Sequence, residues 1–148
     1  MDFETDNEIL PFAKNIFTQP PYKNNQPSLL GGFCSDCNDY FFPEPGYCPE
    51  CLGKIQNRPI GSKGTIYSFT VVRTPTLFGL PSPYGIGYID LMETGLRVFG
   101  MFDPKEIGQL KIGAKVVLSV KSLGKDRHGS PRLRPCFTLE PDNLNRSI

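Results

Sequence analysis

The sequence has 148 residues, 39% of them hydrophobic, and fifteen each of glycine and proline, which favours short strands and turns over long helices and implies a modest core. Residues 1–60 hold four Lys/Arg against eight Asp/Glu (net −4) and residues 61–148 twelve against seven (net +5), and the formal total of only +1 argues against a general nucleic-acid binder. No apolar run approaches the roughly 18 residues of a membrane helix, and the acidic start (Asp2, Glu4, Asp6, Glu8) lacks the basic-then-apolar pattern of a signal peptide, so a reducing, cytoplasmic setting is expected.

Ile9, Leu10, Phe12, Ala13, Ile16 and Phe17 recur at helical spacing, and Pro11 is tolerable only in a first turn. A short helix from about Leu10 is therefore expected, packed either on its own domain or on a partner. With the polar, proline-rich stretch that follows, it makes residues 1–28 a helical arm and connector. Residues 29–60 contain two cysteine pairs and little periodicity. Strands are predicted from Gly64 onward, beginning with Thr65–Val72, rich in β-branched and aromatic residues. Gly87–Leu91 and Leu96–Phe102 flank a turn at Met92–Gly95. Asp103 is placed to cap a helical turn over Pro104–Leu110. Ala114–Leu123 and Leu133–Leu139 are strands around a polar turn at Lys125–Pro131. Five strands with a helical element between the third and fourth match an OB-type barrel over residues 61–140. The tail, residues 141–148, reads as disordered.

Cys34-Ser-Asp-Cys37 and Cys48-Pro-Glu-Cys51 are two CxxC pairs separated by ten residues. Two such turns facing each other set four thiolates at tetrahedral positions, a closed site that zinc accepts with no open coordination position. A structural metal there replaces the core that a lobe of this size is too small to build. Four thiolates also suit iron in a rubredoxin-like centre. Phe33, Tyr40, Phe41, Phe42 and Tyr47 are expected to cluster beneath the metal. Cys136 reads as a buried small hydrophobe, and His128, the lone histidine, as a solvated turn residue. No acyl-transfer site can be assembled from these within the chain, so it is not expected to be catalytic alone.

In order, then, an N-terminal helix, a rubredoxin-like zinc ribbon over residues 29–60 and a five-stranded OB-type barrel make a mainly β chain. Over roughly residues 8–140 it resembles the zinc-ribbon/OB-fold acyl-CoA-associated proteins. The likeness rests on Cys34, Cys37, Phe42-Pro43, Cys48-Pro49, Cys51, Gly64, Pro83-Tyr84 and Leu110–Val117. Within that family it is most similar to small subunits of benzoylsuccinyl-CoA-type thiolases. Asn38 and Leu52 depart from the family pattern, since glycine commonly follows the second cysteine of each pair. The resemblance implies a non-catalytic accessory subunit that stabilises a thiolase-like or aldolase-like catalytic partner and helps to hold a CoA thioester.

Two features of the sequence bear on that role. Thr74–Pro83 is a proline-rich loop that nevertheless carries Leu77, Phe78 and Leu80, apolar side chains in need of cover. Lys121, Lys125, Arg127, Arg132 and Arg134 crowd around the last turn, either as a solvated hairpin or as an attractor of phosphates. The candidate contacts to CoA or a partner are Phe78, Leu80, Tyr84, Lys125, Arg127 and Arg132. The alternative is a single-stranded nucleic-acid module, in which Tyr67, Phe69 and Phe99 would stack bases unless they serve the core.

Overall fold

The computed structural model describes residues 10–11, 16–18, 26–75 and 79–140. Its strands are β1 (Leu10–Pro11), β2 (Leu29–Cys34), β3 (Asp39–Phe41), β4 (Gln56–Gly61), β5 (Lys63–Val72), β6 (Tyr84–Leu91), β7 (Arg97–Met101), β8 (Lys115–Lys125) and β9 (Pro131–Leu139), with a 3-10 helix at Pro104–Gln109. They form a three-stranded sheet ordered β3-β2-β4 and a six-stranded sheet ordered β1-β9-β8-β5-β6-β7.

The larger sheet curls into the OB pattern. Strand β5 pairs through Lys63–Thr65 with β8 and along Gly64–Val72 with β6. A register shift between Ile66 and Ser68 lets one strand serve two partners at different angles. Gly64 sits at this crossing, where an added Cβ would lie 2.5 Å from the Asp90 carbonyl oxygen. A parallel bridge from Phe102 to Phe137 brings β7 to β9, reinforced by Asp103 N–H donating to the Phe137 carbonyl at 2.9 Å. Inward-facing Ile66, Ile89, Leu91, Val98, Val116, Leu118 and Phe137 fill the interior.

The three-stranded sheet joins this core through Leu29 of β2 and Ile60 of β4, both buried with the barrel residues. Thr94 Oγ1 donates to the Ile60 carbonyl, and Glu93 accepts from the backbone amides of Ser62 and Lys63 where β4 turns into β5. The predicted turn at Met92–Gly95 thus also ties the barrel to the cysteine-bearing lobe.

The N-terminal helix is corrected. Leu10–Pro11 pairs in parallel with Arg132 and Leu133 of β9, and Phe17 bridges Leu29 antiparallel. Pro11 has no N–H to give a helix and biases the residue before it toward extended backbone. Phe17, 1% exposed, is buried by this extended path instead. Residues 12–15, and the predicted tail at 141–148, lie outside the described residues. Strands β2, β3 and β4 were not predicted: Gly31, Gly32 and Pro59 interrupt any β-type periodicity there.

Candidate metal centre and the loop face of the barrel

Cys34 ends β2, Cys37 closes the turn into β3, and Cys48 and Cys51 lie on a second turn before β4. The two turns are built alike. Asn38 N–H donates to the Cys34 carbonyl at 2.7 Å, and Leu52 N–H to the Cys48 carbonyl at 2.8 Å. The Cys37 amide points at the Cys34 sulfur and the Gly53 amide at the Cys51 sulfur, each at 3.4 Å. Asn38 and Leu52 both adopt positive φ, +57° and +62°. The second turn therefore forms as the first does, although leucine stands at the reversal.

All four sulfurs lie within 4.8 Å of one another, with Cys34 to Cys51 at 3.6 Å and Cys37 to Cys48 at 3.8 Å. A tetrahedral ion with four Sγ bonds of about 2.3 Å imposes separations near 3.8 Å. The four cysteines are thus positioned to bind a metal ion. The neighbouring Cys51 sulfur pushes the Cys37 thiol well above its ordinary value, while the Cys51 backbone amide helps pull Cys48 down to about 7. A cation bound among the sulfurs would hold every one of them as a thiolate. In the same lobe the Phe33 and Tyr40 rings meet at a 46° tilt with centroids 4.7 Å apart, and Arg58 lies over the Phe33 ring at 4.1 Å. Phe42 packs against the barrel core, whereas Tyr47, 70% exposed, does not join the cluster.

The second region is the end of the barrel where the β5–β6 loop meets the β8–β9 hairpin, the face that OB folds commonly use for ligands. Phe78 lies outside the described residues. Leu80 is half-buried, and Tyr84, also half-buried, opens β6 opposite Val72. A Cβ on Gly79 would stand 3.9 Å from the Lys125 side chain, so loop and hairpin are neighbours. The basic residues divide into two groups. Arg132 is held by Asp126 through two hydrogen bonds of 2.7 and 3.0 Å, and Lys121 pairs with Asp103, which is 5% exposed. Lys125 and Arg127 face solvent.

Behind the loop, Pro81, Ser82, Pro83, Lys105, Lys121 and Leu123 line a cleft of about 480 Å³. The Asp103–Lys121 pair at its base joins residues eighteen apart in the chain, and nothing in the local pattern of either residue announces it. Burial pushes the Asp103 carboxyl up, but the hydrogen bonds from Lys121 and the Lys105 amide outweigh it and hold the group below its ordinary value.

Cys136 is fully buried, and burial raises its thiol to about 12, which removes it as a nucleophile. His128 is exposed in the β8–β9 turn. Tyr67 and Phe99, read as either stacking or core residues, are on the surface, about half exposed, while Phe69 packs against the core.

The family described as ChsH2, C-terminal OB-fold domain, matches residues 57–121. A DUF35 domain-containing scaffold protein of Methanothermobacter thermautotrophicus is 33% identical over 105 residues, covering 67% of this chain and 78% of that one. The benzoylsuccinyl-CoA thiolase subunit BbsA of Thauera aromatica is 32% identical over 114 residues, covering 76% of this chain and 77% of its own. Among solved structures, a chain of the Ltp2-ChsH2(DUF35) aldolase shares the fold, with a TM-score of 0.60 at 24% identity over 76% of this chain and 84% of that one. No helix of the described residues is long and apolar enough to cross a membrane.

Proposed function

The chain belongs to the DUF35 family of ChsH2-type OB-fold proteins, and on that premise we propose that it is the non-catalytic accessory subunit of an acyl-CoA thiolase or aldolase complex. The observation that carries this reading is the likeness to a scaffold protein and to a thiolase subunit, each above 30% identity over more than three quarters of that protein's length. The chemistry of the chain agrees with it. Four cysteines are committed to one another and the fifth is buried with its proton. The partner therefore supplies the nucleophile or base. The nucleic-acid alternative finds no support among these relatives.

The ion at Cys34, Cys37, Cys48 and Cys51 is zinc, which four thiolates enclose without an open position and which here is structural. The β5–β6 loop, with Leu80 and Tyr84, and the exposed cations Lys125 and Arg127 help to hold the CoA thioester. Arg132 serves the hairpin itself, with its charge spent on Asp126.

Purification from the native host tests the reading. A thiolase- or aldolase-type protein should accompany the chain through size exclusion at constant ratio, with about one zinc per chain. A chain that emerges alone and turns over an acyl-CoA by itself would overturn it, and iron in place of zinc would overturn the metal assignment.

A further inference from the structure

The tip of the cysteine lobe carries a leucine where the backbone favours glycine. Leu52 sits at φ +62°, directly after Cys51, and is 76% exposed. Its side chain gains no burial within the chain to offset the left-handed backbone, a position glycine takes without steric strain. Strain of this kind is concentrated where a side chain is needed for a contact outside the fold. Tyr47, 70% exposed, enters the same turn. Cys48 N–H donates to the Gly53 carbonyl at 3.0 Å and closes that turn, so Tyr47 and Leu52 flank one small loop. Of the large hydrophobic side chains described, only Ile112 is comparably exposed.

The surface around this tip is acidic. Asp36, Asp39 and Glu50 are exposed, and Lys54 is the only basic residue between positions 34 and 57. The carboxyls come from both cysteine turns. Asp36 Oδ2 would stand 3.6 Å from a Cβ on Gly53, and Asp39 lies within hydrogen-bonding reach of Glu50. Among the described residues no ion pair joins any of the three to a cation. Nor do they make an ion site of their own, since the four cysteine sulfurs are the only such group there close enough together to share a metal. An exposed apolar pair within an unneutralised acidic rim suits a protein surface that sets basic groups around an apolar socket. Nucleic acid and anionic lipid are repelled by it. A second copy would bring the same negative charge to a two-fold contact. Head to tail, through its basic hairpin, it would build an open-ended chain and no closed assembly.

We propose that the tip of the cysteine lobe docks the catalytic partner: Leu52 and Tyr47 enter an apolar socket on that protein, and its Lys or Arg side chains face Asp36, Asp39 and Glu50. This rests on the accessory-subunit reading above and places a partner contact on the cysteine turns, away from the Thr74–Pro83 loop.

Binding of the co-purified thiolase- or aldolase-type protein to variants of the chain, each checked for retained metal and for its melting midpoint, tests it. Leu52→Gly should melt higher than the natural chain and yet bind the partner about tenfold more weakly. Leu52→Met, which keeps an apolar side chain of similar volume, should bind within about threefold of the natural chain. Tyr47→Ser, which leaves the left-handed position alone, should weaken binding about tenfold as well. Glu50→Lys should weaken it at low salt, by a factor that shrinks as salt rises. A metal-loaded Leu52→Gly or Tyr47→Ser chain that binds like the natural one overturns the docking role of the tip and leaves the accessory-subunit reading standing, whereas a natural chain that finds no partner overturns both. Unchanged binding by Glu50→Lys at low salt overturns the basic socket. Self-association of the chain alone that Leu52→Gly abolishes would give the tip to a second copy and sink the proposal.

Discussion

Asn38 and Leu52 occupy matching left-handed positions, φ +57° and +62°, each directly after the second cysteine of its pair and each donating its amide to the carbonyl of the first. The second turn thus holds a branched-chain residue, 76% exposed, in a conformation that costs L side chains roughly 1–2 kcal/mol. Glycine carries no such steric penalty, although it loses more backbone freedom on folding. Leu52→Gly should accordingly stabilise the metal-loaded chain by about 0.5–1 kcal/mol. A thermal melt with metal bound checks this, and a lower midpoint would refute it.

Because Leu29 and Ile60 of the cysteine-bearing lobe are buried within the barrel core, losing the metal should not unfold the lobe alone. Cys48→Ser removes a fully buried ligand and should abolish stoichiometric metal binding. The expected loss of stability is about 3 kcal/mol or more, since structural ions contribute folding energy directly. Metal analysis with circular dichroism reads both effects. A barrel whose strand signal and melting midpoint survive chelation unchanged would contradict the coupling.

Asp103 does two jobs at once: its Oδ1 accepts from the Lys105 amide to cap the 3-10 helix, and its Oδ2 pairs with Lys121. Asp103→Ala loses both and leaves a half-buried ammonium without its partner, so it should cost about 2–4 kcal/mol. Asp103→Asn keeps the cap and should cost less. Denaturant unfolding of the two variants orders them, and the reverse order would show that neither interaction matters as drawn.

The barrel was largely legible because its strands state themselves locally. Ile66, Ile89, Val98, Val116 and Phe137 all lie within predicted strands, the Met92–Gly95 turn ends in a glycine at φ +74°, and Asp103 is the cap that its position before Pro104 foretells. The four cysteines were legible for another reason: ligand spacing is itself local. What escaped was non-local. The spacing of Leu10 to Phe17 imitates a helix, but burial of Phe17 against Leu29 and pairing of Leu10 with Arg132 are interactions with distant strands. In the basic cluster, composition could not distinguish Arg132, held by Asp126, from solvent-facing Arg127.

That division of the hairpin charges yields a prediction about CoA. Arg127→Glu and Lys125→Glu reverse exposed charges beside the β5–β6 loop and should weaken binding of free CoA to the complex by about fivefold to twentyfold each at low salt, less as salt rises. Arg132→Ala should leave affinity nearly unchanged while loosening the turn. Calorimetric titration at two ionic strengths separates these effects. Equal losses from Arg127 and Arg132 variants would mean that the partnered guanidinium, too, meets the ligand.

Acid should dismantle the hairpin in a defined window. Asp126 accepts from the amides of Ser130 and His128 and from Arg132, and these bonds, Ser130 foremost, hold its carboxyl down to about 2. An unfolded aspartate titrates near 3.9. A carboxyl depressed on folding stabilises the folded form fully above its unfolded value, and that contribution is lost as pH falls through the folded value. The contribution of Asp126 to the turn should therefore be constant down to about pH 4 and should be lost between about 4 and 2. The chemical shifts of the Ser130 amide and of the Asp126 carboxyl carbon, followed below pH 5, report it. Asp126→Asn should flatten the pH response of the Ser130 amide, whereas Arg132→Ala should move the midpoint only part of the way toward the unfolded value, because the Ser130 amide, the largest cause of the depression, stays in place.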